Sequence, residues 1–345
     1  MDTQIVKPHS FPDFPLAELH AHLATSISPS VYWQIAHDQG FKLPKRDYHE
    51  FIEHVMLSEN KKMSLNEYFK EIYHPILDKL SSGTHAVERA VYESMSGAYR
   101  SNNIHLIELR NNPMKHNQGG DVDLDHVIMA SLRGMERALL EYDKLSAGII
   151  FIMAREFAYE ANEIIVEKAI KYKNRGVVGI DFAGPGTDGF HFGDYTELVK
   201  KAKETGLHVT AHSGEVAEAN DLWEVLENIK PERIGHGIHA ADDPELMKEI
   251  VKRDIVLEVC PMSNLVTKAV KDIQEMKKIL RTFIDNGVKF TINTDWPEVI
   301  EGARLRKQYQ MLLSEGIMSE EELRACNQTA FEATFVPKGG LGAYL

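Results

Sequence analysis

The chain has 345 residues, 43% of them hydrophobic and 26% charged, which is enough to bury a large core as one big α/β barrel or two smaller domains. A formal net charge of −13 leaves no basic surplus for tracking a nucleic acid or an anionic membrane, so small-molecule chemistry is expected. The two cysteines, Cys260 and Cys326, are too few for a disulfide framework or a four-thiolate zinc site, and no apolar run reaches signal-peptide or membrane-spanning length. A cytoplasmic protein is expected.

Short apolar runs bounded by turn signals recur at Leu16–His22, Ile104–Arg110, Ala147–Met153, Val177–Ala183, His208–His212, Arg233–His236, Val256–Cys260 and Lys289–Thr294. The stretches between them carry helical spacing. AYEANEIIVEKAIKYKNRG reads as an amphipathic helix closed by Gly176, DYTELVKKAKETG as another closed by Gly206, and DPELMKEIVKRD as a third. Repeated βα units of this kind predict a (β/α)8 TIM barrel. The segment from about Ser28 to Arg100, rich in helix formers and aromatics, predicts extra helices inserted after the first strand. With no low-complexity linker or internal repeat, residues 1–345 are expected to form one domain.

Alternation along a strand puts His20 and His22 of ELHAHL on the same side, inward if that strand lines a barrel. An isolated H-x-H is more often a packed pair than a ligand pair. Its weight comes from His212 in VTAHSGE, His236 in RIGHG and Asp295 in TINTDW, each of which ends an apolar run before a loop. Strand C-termini are where a barrel of this type gathers functional side chains. Three imidazoles and a carboxylate, from His20, His22, His212 and Asp295, suit one zinc ion or another divalent transition metal. They leave a position at which water can lose a proton near neutral pH. A second metal is not favoured, because the fourth strand supplies no bridging lysine. Glu215, three residues beyond His212, is a candidate proton donor, and His236 a candidate for orienting or deprotonating water.

The stretches ELHAHL, IELRNNP, VVGIDFAG, HVTAHSGE, RIGHGIHA, LEVCPMSN and TINTDWP resemble, in order, those of the adenosine deaminase family of the amidohydrolase superfamily. The resemblance covers nearly the whole chain. It implies that His20, His22, His212 and Asp295 bind zinc, that Glu215 protonates a ring nitrogen, that His236 activates water and that Asp295 helps to hold it. It also implies that the Gly184 backbone N–H contacts the purine, and that the reaction releases ammonia.

This chain departs from the family pattern at the substrate-facing positions. Ala24 and Thr25 stand where the family places an acidic or amide residue and then glycine, which removes an acidic contact to a ribose hydroxyl. Trp296 follows Asp295 where the family has a second aspartate that hydrogen-bonds the purine, and an indole cannot accept that bond. Trp296 is therefore read as a substrate-facing residue that stacks on a heteroaromatic ring or narrows the pocket, or else as rim packing. Pro185 and Gly186 reshape the loop after the fourth strand.

The expected activity is zinc-dependent hydrolytic deamination of a purine nucleoside, nucleotide, base or related aminoheterocycle, with a small-molecule substrate and water as the partners. The alternatives are hydrolysis of an N-substituted aminopurine or cyclic amide, and a catalytically silent metal-binding barrel. A cytidine-type base deaminase is excluded by the absence of C-x-x-C.

Overall fold

The computed structural model of the chain describes residues 11–118, 123–186, 189–216 and 219–339. Eight strands form a parallel sheet in sequential order: β1 (Leu16–His22), β2 (Ile104–Asn111), β3 (Ser146–Ala154), β4 (Val177–Ala183), β5 (His208–Ser213), β6 (Arg233–His236), β7 (Val256–Val259) and β8 (Phe290–Ile292). The sheet comes back on itself just past β8, where Asp295 N donates to His20 O (2.8 Å) and His22 N donates to Asp295 O (3.2 Å). This is the (β/α)8 barrel that the spacing predicts. Strands such as SAGIIFIMA in β3 are buried along almost their whole length, because one face meets the barrel interior and the other the helices.

The helices between strands begin and end where their chemistry directs. Asp243 caps Pro244–Lys252 by accepting from the amides of Glu245 and Leu246, with proline at the first helical position. Gly176 takes a left-handed φ of 112° where the helix before β4 stops. Between β1 and β2 the inserted helices are Pro29–Gln39, Tyr48–Val55, a continuous run through Leu65–Tyr68, Phe69–Leu77 and Asp78–Leu80, and Thr84–Asn102. The middle stretch of the run, Phe69–Leu77, winds as a π-helix. Leu57 pairs with Ile300, which ties the insertion to the segment that follows β8.

Strict alternation fails inside β1, and this matters for the site. The four residues from Glu18 to Ala21 run against only three, Ile107 to Leu109, on β2. Such a bulge re-aims side chains. His20 and His22 both face the barrel interior. Glu18, which alternation places on their side, instead joins Ala21 in lining a cavity of about 250 Å³ between β1 and the Thr84–Asn102 helix. Its buried carboxyl accepts from the His20 and Thr294 amides and is pushed up to about 8 by burial.

At the opposite end of the barrel the C-terminal segment closes the base. Glu108 Oε1 accepts from the Phe335 amide (2.5 Å) and Thr334 Oγ1 (2.7 Å), and the Arg233 guanidinium lies over the Phe335 ring at 3.5 Å. Among the described residues no helix is long and apolar enough to cross a membrane.

Candidate metal centre and catalytic site

His20 and His22 on β1, His212 on β5 and Asp295 just past β8 each offer a donor atom at the mouth of the barrel, all within 4.8 Å of one another. His22 Nε2 lies 3.1 Å from His212 Nε2 and 3.2 Å from Asp295 Oδ1, and His20 Nε2 lies 3.6 Å from the same oxygen. His20 Nε2 is buried with no hydrogen-bond partner among the described residues. Burial holds all three imidazoles well below the usual histidine range, so they are neutral and their lone pairs are available. Three neutral imidazoles and a carboxylate, with one imidazole nitrogen left unpartnered, are a donor set that fits a divalent transition metal.

Each donor is held from behind. His20 Nδ1 donates to Glu258 Oε2 (2.7 Å), and His212 Nδ1 donates to Asp181 Oδ1 (3.1 Å), which turns the Nε2 atoms toward the centre. Ser263 Oγ donates to Asp295 Oδ2 (2.6 Å), leaving Oδ1 toward the histidines. Burial pushes the Asp295 carboxyl up to about 6, against the pull of His236.

Glu215 and His236 stand beside this group. Glu215 Oε2 is 3.6 Å from His236 Nε2, while Glu215 Oε1 has no hydrogen-bond partner among the described residues. Burial pushes the Glu215 carboxyl up to about 7, although nearby Arg155 opposes the shift, so it exchanges a proton near neutrality. His236 is 1% exposed, burial lowers its proton affinity, and Asn264 Nδ2 sits 3.0 Å from its Nδ1. His236 and Asp295 both have left-handed backbone, φ 61° and 59°. In non-glycine residues this conformation is uncommon and concentrates at functional sites.

These groups open into one cavity of about 520 Å³, also lined by Gly184, Pro185, Gly186, Arg155, Leu65, Phe69, Lys268 and Trp296. Gly184 has φ 103°, and a Cβ there would meet Glu156 Oε2 at 2.5 Å, so only glycine keeps that backbone open to the cavity. Trp296 is 2% exposed. Its ring stacks on Tyr68 of the inserted helix, with centroids 4.7 Å apart, and meets Phe69 edge-on at 6.1 Å. Ala24 and Thr25 are buried away from this cavity. Thr25 Oγ1 is spent on the His22 and Asp295 carbonyls, and the Ala24 carbonyl accepts from Tyr32 Oη.

Sequence reasoning missed Asp181, Glu258 and Arg155, all of which touch the site. A usable signal was present, because a charged residue inside an otherwise apolar barrel strand, such as Asp181 in VVGIDFA or Glu258 in VLEV, must have a buried partner.

The adenosine deaminase family model matches residues 15–341. The chain is 30% identical to an adenosine deaminase of Shewanella denitrificans, covering 93% of this chain and 94% of that protein. It is 31% identical to one of Vibrio vulnificus, covering 82% and 83%. Among solved structures it is similar to an arabidopsis N6-mAMP deaminase, with TM-score 0.77, 26% identity and 94% of both chains covered. An adenine deaminase from Arthrobacter aurescens shares the fold, with TM-score 0.82 and 21% identity over 96% of this chain and 97% of that one.

Proposed function

The chain belongs to the adenosine deaminase family and is a hydrolytic deaminase, and from that premise we propose that it deaminates a 6-aminopurine, presented as base, nucleoside or nucleotide. The observation that carries this reading is that His22, His212 and Asp295 of the four-donor cluster line one cavity together with Glu215 and His236. His20, His22, His212 and Asp295 would hold one zinc or similar divalent ion. The chemistry such an ion supplies when bound is Lewis acidity, which lets water give up a proton near neutral pH.

The chain's own residues account for the rest of the proton traffic. Water attacks the carbon bearing the amino group as His236 Nε2 accepts one of its protons, with Asp295 orienting the attacking oxygen. Glu215, neutral below about pH 7, donates its proton to the ring nitrogen beside that carbon. The C–N bond then breaks. His236 returns its proton to the departing amino group, which leaves as ammonia, and the remaining water proton restores Glu215 as the product carbonyl forms. The Gly184 N–H and the Trp296 edge would contact the purine. Because Ala24 and Thr25 do not line the cavity, ribose recognition by those positions is absent here, whereas Arg155 and Lys268 offer cationic groups at its wall.

Ammonia release from adenine, adenosine, AMP, guanine and pterins, and methylamine release from the N6-methyl derivatives of the first three, test the substrate class. Turnover confined to guanine or to the pterins would overturn it. The ligand set is tested by metal analysis. The parent protein is expected to carry about one metal per chain and Asp295→Ala to lose it, and equal metal in both contradicts the assignment.

A further inference from the structure

We infer that Arg110 is a positioning residue for the metal centre, tying together the two carboxylates behind His20 and His212 and pinning the strand bulge from which His20 projects. The inference rests on His20, His22, His212 and Asp295 being the metal ligands. Arg110, on β2, is fully buried. Its Nη2 donates to Glu258 Oε2 (2.7 Å) and to the Leu19 carbonyl (2.7 Å), and its Nη1 donates to Asp181 Oδ2 (2.9 Å). One planar guanidinium therefore reaches the hydrogen-bond acceptor of His20, that of His212, and the backbone one residue before His20. A lysine ammonium is a point donor without that fork geometry.

The two carboxylates depend on Arg110 unequally. Glu258 is also held through Oε1 by Arg233 Nε (2.6 Å) and Thr210 Oγ1 (3.0 Å). The side chain of Asp181 is hydrogen-bonded, among the described residues, by Arg110 and His212. Loss of Arg110 thus frees Asp181 far more than Glu258, and the damage passes to His212. Two effects on metal affinity oppose each other. Removing a cation near a divalent ion favours binding by relieving Coulomb repulsion, while misplaced imidazoles weaken it. Outer-shell partners of metal-bound histidines are typically worth 10–100-fold in affinity, and this geometric effect is expected to win.

The test is chelator competition for Zn2+ on purified full-length protein, with the visible absorption of the Co2+-loaded form as a readout of ligand geometry. Arg110→Met and Asp181→Asn are each expected to raise the Zn2+ dissociation constant about 10–100-fold and to alter the Co2+ spectrum, with Arg110→Lys intermediate. The double variant should lose less than the two single losses combined, because both act in part through His212. Asp181→Asn preserves shape and keeps the inference falsifiable if Arg110→Met does not fold. Unchanged or tighter Zn2+ binding in a folded variant, or additive losses in the double variant, overturns the role of Arg110 while leaving the ligand set standing. Failure of the parent protein to bind Zn2+ overturns both.

Discussion

At the base of the barrel Glu108 is saturated by the Phe335 amide, Thr334 Oγ1 and Arg233, and Arg233 goes on to reach Glu258 Oε1. At the mouth His20 Nε2, Glu215 Oε1 and Asn264 Oδ1 are equally buried, yet they lack hydrogen-bond partners among the described residues. There His236 and Asp295 also hold left-handed backbone. A non-glycine residue held in left-handed backbone costs about 1–3 kcal/mol. The same fold therefore carries one end in which polar groups are mutually satisfied and another in which they are kept ready for something else. The base contributes stability, and the mouth gives some of it up for reactivity.

The largest effect that could break this contrast is at the mouth. Glu215→Gln is expected to keep the metal and the fold but lower turnover about 1,000-fold, since an amide cannot deliver the proton. Steady-state ammonia release measures it, and near-parental turnover would remove Glu215 from the mechanism. At the base the expected loss has the opposite character. Phe335→Ala should lower the unfolding free energy by about 3 kcal/mol in urea, with turnover at saturating substrate within about twofold of the parent. A turnover defect larger than the stability defect would mean that the base is not purely structural.

A further effect concerns pH. The Glu215 carboxyl titrates at about 7 in the folded chain, above its ordinary value of 4.5, so folding favours its protonated form. Its sign follows from linkage: the parent loses stability as pH rises from about 4.5 to about 7, and the penalty stays constant above that. Glu215→Gln escapes this penalty. In chelator-treated protein the variant should stay close to the parent at pH 4.5 and exceed it by about 3 kcal/mol at pH 8. Equal stability at pH 8 would show that the mouth bears no such burden.

By itself the sequence determined the barrel, because eight apolar runs separated by helical periods can bury their faces in few other ways. It also placed His212, His236 and Asp295 at strand ends, and the fold brings them together with His20 and His22 as that placement implies. What stayed hidden depends on register and long-range pairing. The direction of Glu18 is set by a bulge that exists only against β2. The partners of Arg110, Asp181 and Glu258, lie 71 and 148 residues away, and meet it only once β2, β4 and β7 surround one interior. The stacking of Tyr68 on Trp296 was likewise beyond the sequence, because only the packing of the inserted helix brings that ring against it. Local periodicity is written in neighbouring residues. A bulge, a buried ion pair and a stacked ring are properties of two or more strands or helices at once, and only their packing decides them.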